Sequence, residues 1–250
     1  GAGIAGLEAA RVAAKRGHHV TVYEKSDKIG GQIHLAAVQP RKSEILRAVT
    51  YYEKILPQLN VNIKLNTEAE AEELNQYDAV ILAVGAHNMA LPMPVENSNV
   101  VSAWEVLAGK EVQGSCVVLG GGLVGTETAE YLAQKGVKVS IVEMMDKIAA
   151  GESSTVMPLI VKDFEKHEVA QYIQTKVVSI KNNVIEAVHT PDEAPVELKA
   201  DTIVNALGSK KNIFDDTKLT VPFTYVGDCS GEKTADIASA IRTGYHAANE

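Results

Sequence analysis

An α/β fold built on parallel sheets follows from three observations. Residues 1–30 read GAGIAGLEAARVAAKRGHHVTVYEKSDKIG, with glycines at 1, 3 and 6, an apolar helical run, and a short β-rich run ending in an acid. The same outline returns 119 positions later, at 120–149, as GGGLVGTETAEYLAQKGVKVSIVEMMDKIA. Two apolar runs end in glycine, DAVILAVG at 78–85 and DTIVNALG at 201–208, and read as strands buried on both faces. Glycines at this spacing allow a tight turn, a close backbone approach to a pyrophosphate, and tight helix–sheet packing. An acid some twenty residues on lies where an adenosine ribose presents its hydroxyls. The chain therefore reads as two nested Rossmann-like dinucleotide-binding domains, three-layer parallel sheets with a small antiparallel meander.

In the first copy, Gly1, Gly3 and Gly6 make the turn, and Ala10 lets the helix lie close to the sheet. Gly17 suits the position just past a helix C-terminus. A strand over 19–23 leads to Glu24. Next comes Lys28-Ile29-Gly30-Gly31-Gln32, whose glycine pair either approaches a ligand or makes a plain surface turn. Ile45, Leu46, Val49 and Tyr52 predict a helix over 42–59, after Pro40. A strand at 61–65, an acidic helix over 67–75 and the strand at 78–85 complete this half. The motif calls for a strand before its first glycine. The chain starts on that glycine, so it reads as a fragment whose first domain lacks its first, central strand.

In the second copy, a strand over 115–119 precedes Gly120, Gly122, Gly125 and Ala129. Gly136 repeats the helix cap and Glu143 repeats the acid. Glu8 matches Glu127, and Asp27-Lys28-Ile29 matches Asp146-Lys147-Ile148. A helix over 156–165 is followed by short strands to about Leu198, with turns at Asn182-Asn183 and Pro191-Asp192; these make the meander. The stretches 87–100 and 209–222 read as connections. Thr224–Asp228 reads as a strand ending in an acid. A closing helix runs from about Thr234, its N-cap, to Asn249. The simplest path returns this tail to the first domain. That gives a discontinuous domain of residues 1–90 and 212–250, with residues 98–210 inserted into it.

Composition narrows the function. Of 250 residues, 46% are hydrophobic and 22% charged, ordinary for a globular protein. A net charge of −8 and no basic run argue against a nucleic-acid partner. No apolar stretch of about 18 residues predicts a membrane span, and no signal segment is visible, so the cytoplasm is the expected compartment. Cys116 and Cys229 form no CxxC, so neither a redox dithiol nor a cluster ligand set is expected within this chain. No metal site is predicted.

These residues together resemble the two-dinucleotide flavoprotein reductases. The GxGxxG pair, the two strands ending in AVG and ALG, and a terminal Gly227-Asp228 before a helix carry the likeness over essentially the whole chain. The stretch from Lys28 through KIGGQ to 61–66 is most similar to one subgroup: the C-terminal region of the NADH:flavin oxidoreductase / 2-enoate reductase family, which includes 2,4-dienoyl-CoA reductase and trimethylamine dehydrogenase. In that family the region follows a barrel carrying FMN and an iron–sulfur cluster; the barrel and its cysteines are absent here. The resemblance implies FAD in the first domain, with Gly1, Gly3 and Gly6 at its pyrophosphate and Glu24 and Lys25 at its adenosine end. Gly31 and Gln32 would approach the flavin side. Gly85 would pass the dinucleotide, and Gly227 and Asp228 would meet the ribityl chain. Gly120, Gly122, Gly125, Glu143 and Gly208 would hold NAD. Glu127 corresponds to a family glutamate that faces the nicotinamide end; as a residue near a helix start it can equally cap that helix.

Physical argument adds three expectations. Helix N-termini favour the pyrophosphate, and the closing helix, starting near Lys233-Thr234, would favour a reduced flavin's negative charge or simply pack Ile237 and Ile241. Glu143 accepts ribose hydroxyls and repels a 2′-phosphate; Met144 and Met145 follow it, where an NADP enzyme wants arginine. Lys147 alone opposes this, and NADH is expected over NADPH. His34 is the one histidine placed near a flavin, where it is a packing or surface residue or a flavin neighbour. The leading expectation is an NADH-oxidising FAD module passing electrons to a cluster or FMN in a longer chain. A stand-alone NADH:acceptor reductase and a non-catalytic module holding ADP are the alternatives.

Overall fold

The computed structural model describes residues 1–231 and 236–250. The chain divides into two compact units. One comprises Gly1–Ala37, Ser43–His87 and Ser209–Glu250; the other comprises Val38–Lys42 and Asn88–Gly208.

In the first unit, helix Ile4–Lys15 begins directly at the glycine turn, with Gly3 extended at its N-cap. Its alanines favour helix, and it ends where predicted. Gly17, at φ +94°, donates to Ala14 O, and His18 N–H reaches Ala13 O, the paired bonds of a Schellman stop. Strand Thr21–Tyr23 pairs in parallel with Asn62–Lys64, and Val80–Leu82 pairs in parallel with Phe223–Tyr225. Leu7, Val22, Val49, Tyr52, Leu56 and Val226 form the core beneath the helix.

Several elements are shorter than expected. The predicted helix 42–59 splits into a 3₁₀ turn, Ser43–Ile45, and helix Leu46–Gln58. The acidic stretch is helical only over Ala71–Leu74, because Thr67 is drawn back into a loop: its N–H bonds Glu24 O and its hydroxyl bonds Leu65 O. The run 78–85 is a strand only over Val80–Leu82, as long as its partner allows. The closing helix is Ile237–Ala247, capped by Asp236, whose side chain accepts from Ser239 N–H at 2.6 Å. The expected start at Lys233-Thr234 lies outside the described residues.

The second unit holds a five-stranded parallel sheet in the order Val100–Ser102, Thr202–Asn205, Ser115–Leu119, Lys138–Val142, Ala170–Tyr172. Thr202–Asn205 is buried at every position, as its apolar run requires. Helix Leu123–Gln134 follows the second glycine turn and ends on Gly136 with the same pair of Schellman bonds. Helix Ala103–Leu107 starts on a capping box between Ser102 and Glu105. Helix Met157–Lys166 packs Ile160 and Phe164 into the core.

The meander is real. Thr175–Lys181, Val184–His189 and Pro195–Lys199 are antiparallel, and Asn182-Asn183, both at positive φ, make the two-residue hairpin turn. Its fourth strand was not expected. Val95–Glu96, inside the supposed connection 87–100, pairs in parallel with Ile180 and Lys181.

Candidate functional site

Each glycine turn is built the same way. A Cβ on Gly6 would lie 2.0 Å from Gly1 O and 3.1 Å from Ala83 Cβ; one on Gly125 would lie 1.9 Å from Gly120 O and 3.1 Å from Ala206 Cβ. These glycines are contact points where the helix start presses on its own turn and on the strand behind it. A Cβ on Gly3 or on Gly122 meets nothing within 4 Å. That open space lies at the first N–H groups of a helix, where backbone donors and the helix dipole favour an anion.

The two acids are placed alike. Glu24 Oε2 accepts from Ala2 N–H at 2.7 Å, and Oε1 accepts from Ser26 N–H at 2.8 Å. Glu143 Oε2 accepts from Gly121 N–H at 2.6 Å, and Oε1 accepts from Met145 N–H at 2.8 Å. Burial pushes the Glu24 carboxyl up, but the N–H groups of Ser26 and Ala2 and the Ser26 hydroxyl outweigh it and hold it below the usual range. Lys25 and Lys147 beside these acids are exposed, as are Met144 and Met145.

The first unit also gathers the residues assigned to a flavin side. Gly31 turns at φ +52°, and a Cβ on it would sit 3.1 Å from Gly3 Cα. Gln32 Nε2 donates to Asp228 Oδ2 at 2.6 Å, and a Cβ on Gly85 would be 3.9 Å from the same Nε2. Gly227, at φ +68°, presses on Ala5 and donates to Thr243 Oγ1. Thus Gly3, Gly31, Gln32, Gly85 and Asp228 come together although 225 positions separate the first from the last. His34 Nε2 donates to Ile29 O at 2.7 Å and braces the loop 28–32. Gly208, at φ +122°, lies past the end of strand Thr202–Asn205, with open space at its Cα. Both cysteines are free and buried, and burial pushes the Cys116 thiol up to about 12.

Glu127 does not cap its helix. Gly122 is the N-cap, and no side chain caps it. Glu127 is 4% exposed and forms an ion pair with Lys42. Burial pushes its carboxyl above the usual range, against the pull of Lys42. Its counterpart Glu8 is also buried, held by both Arg11 Nε and Nη2 at 2.7 Å and by the Tyr52 hydroxyl at 2.9 Å. One turn beyond Glu127, Glu130 is fully buried and takes Arg41 Nη2 at 2.6 Å. Its Oε1 finds no donor among the described residues. Arg41 also reaches Asp163 at 3.3 Å, and Gln134 donates to that same carboxylate. Burial, and the nearby Asp163 as well, push the Glu130 carboxyl up against the pull of Arg41; the neighbouring Glu130 carboxyl, then Gln134 and Arg41, hold Asp163 down. Arg41, Lys42, Glu130 and Asp163 were not anticipated. The visible signal was two acids three apart on a helix made mostly of small and apolar residues.

No described helix is long and apolar enough to cross a membrane. The chain matches the family model of the pyridine nucleotide-disulphide oxidoreductases over residues 1–225. Among curated proteins it is 46% identical to a bilirubin reductase of Mediterraneibacter gnavus, an alignment covering 100% of this chain and 40% of that protein. It is 35% identical to a cinnamate reductase of Clostridium sporogenes, covering 99% of this chain and 38% of that one. Among solved structures, a 2-naphthoyl-CoA reductase in complex with 2-naphthoyl-CoA superposes with a TM-score of 0.87 at 28% identity, covering 98% of this chain and 38% of that one. The chain spans about two fifths of the length of these relatives. With its two glycine turns, the acid held at the end of the strand after each, and this match, the chain belongs to the pyridine nucleotide-disulphide oxidoreductase family, flavin-dependent oxidoreductases that bind a nicotinamide nucleotide.

Proposed function

We propose that the first unit holds FAD, the second holds NADH, and the chain is the NADH-oxidising module of a longer enoate-reductase-like polypeptide. In that polypeptide an N-terminal barrel with FMN and an iron–sulfur cluster would take the electrons onward. One observation carries the reading: both units build the same cradle, an open glycine at a helix N-terminus beside a carboxylate fixed at the end of the next strand. The residues fit the cofactors. Gly3 and Gly122 leave the room that a pyrophosphate needs. Glu24 Oε1 already takes both the N–H and the hydroxyl of Ser26, but Glu24 Oε2 and both oxygens of Glu143 each accept a single N–H and keep a second lone pair for a ribose hydroxyl. Gln32 and Asp228 would hold the flavin's polyol chain, and the Lys42–Glu127 pair would face the nicotinamide end. Bound together, the two cofactors supply hydride transfer; the chain's residues bind, orient and set the charge around them.

Glu143 selects the nicotinamide cofactor. A 2′-phosphate would bring two like charges against a carboxylate that two backbone N–H groups hold in place. The final acceptor proposed for the parent is a conjugated carbon–carbon double bond, a feature of both bilirubin and cinnamate. The test is anaerobic flavin reduction in the purified parent, followed by absorbance with each nicotinamide. NADH should bleach the flavin at least about tenfold more efficiently than NADPH, a difference of about 1.4 kcal/mol. A preference for NADPH, or a protein that binds no flavin, would overturn the assignment.

A further inference from the structure

In both units the second residue of the glycine turn is held from two sides. Ala2 donates its N–H to Glu24 Oε2 at 2.7 Å, and its carbonyl accepts from Gly30 N–H at 2.8 Å. Gly121 donates to Glu143 Oε2 at 2.6 Å, and its carbonyl accepts from Ala149 N–H at 2.6 Å. All of these positions match under the shift of 119. The repeated Asp-Lys-Ile stretch is therefore part of the device: it carries the chain from the acid back to the turn. Ile29 and Ile148 anchor it in the two cores. Ala149 adopts φ +48° to reach Gly121, an unfavourable conformation for a residue with a Cβ, and its counterpart Gly30 sits at φ +109°. Gly121 fills its seat fully: a Cβ there would lie 2.8 Å from both Glu143 Cβ and Ile148 Cγ2.

We propose that Glu143 is a positioning residue for the pyrophosphate cradle as well as a ribose ligand, and that Glu24 serves the first unit in the same way. Its bond to Gly121 N–H fixes the peptide that leads into Gly122 and the helix N-terminus, so the donors stand in place before a nucleotide arrives. Fixing donors in advance removes an ordering cost from binding. The inference rests on the assignment of a nucleotide to this site. Its distinguishing consequence is that loss of the acid weakens ligands that have a pyrophosphate but no ribose hydroxyls to bond.

The experiment compares ADP with 2′,3′-dideoxy-ADP on the full 250-residue chain, as wild type, Glu143→Ala and Glu143→Gln. Binding is read from ligand-induced amide protection of residues 120–126, which reports this site alone. Glu143→Ala should weaken both ligands by at least about tenfold. Glu143→Gln, which keeps one acceptor oxygen, should recover part of the loss for the dideoxy ligand. Wild-type affinity of Glu143→Ala for dideoxy-ADP, with only ADP weakened, overturns the positioning role and leaves a ribose ligand. Should Glu143→Ala not fold, Glu143→Met, which keeps the bulk and has no oxygen to accept Gly121 N–H, takes its place: dideoxy-ADP bound several-fold more weakly supports the role, and unchanged binding overturns it. If the wild type protects 120–126 with neither ligand, the nucleotide site itself is refuted, a result distinct from the other failures.

Discussion

At Gly122 a methyl group would meet nothing within 4 Å, yet three positions on, at Gly125, it would lie 1.9 Å from Gly120 O. The two glycines therefore answer different demands. Gly122→Ala should leave stability within about 0.5 kcal/mol of wild type while weakening nucleotide binding, because the methyl takes the space proposed for the pyrophosphate. Gly125→Ala should destabilise by about 1–3 kcal/mol, since the obstacle is backbone. Thermal melts and nucleotide titration of both variants check this; equal stability of the two would contradict it. The spacing of the glycines was legible because it is local. The fate of Glu127 was not. Its position suggested a cap or a ligand, and its partner Lys42 lies 85 positions away in sequence. A separation of 89 positions hid the grip of Arg41 on Glu130.

Among elements, the helices were the most legible, because apolar spacing and a C-terminal glycine act within a few residues. Gly17 and Gly136 stop their helices with matching bonds. Strand lengths were less legible, since a strand extends only as far as its partner pairs with it: DAVILAVG shrinks to Val80–Leu82 beside Phe223–Tyr225. Val95–Glu96 became a strand only because the meander offered it an edge. The closing helix shows how close two elements come: a Cβ on Gly244 would lie 2.1 Å from Ala5 O on the first helix. Gly244→Ala should therefore push the helices apart at a cost of about 1–3 kcal/mol. Asp236→Ala, which removes the cap bond to Ser239, should cost about 1 kcal/mol. Chemical denaturation of the two variants should rank them in that order, and the reverse order would sink the close-packing argument.

At the scale of the molecule, each unit encloses buried acids, and their signs set the response to pH. Glu127 and Glu130 have carboxyls pushed above the usual range. A carboxyl that holds its proton more tightly when folded adds stability below its unfolded pKa, and this is lost as pH rises through the raised folded value. Glu24 is held low and acts oppositely, losing its contribution as pH falls through its depressed value. Glu130→Gln removes the first effect and keeps an oxygen for Arg41. The melting temperature of Glu130→Gln relative to wild type should therefore be higher at about pH 8 than at about pH 5. A difference of the opposite sign would show that Glu130 is ionised in place. The sequence by itself determined the duplicated cradle, its glycines, its helix stops and its acids, because tight turns and helix periodicity are written in residues only a few positions apart. Only the tertiary structure decided which groups satisfy the buried carboxylates, how Gln32 reaches Asp228, and that each acid ties down its own glycine turn. Those choices depend on side chains brought together across long loops, where removal from water makes an unpartnered group costly and spacing along the chain carries no record of which partner is near.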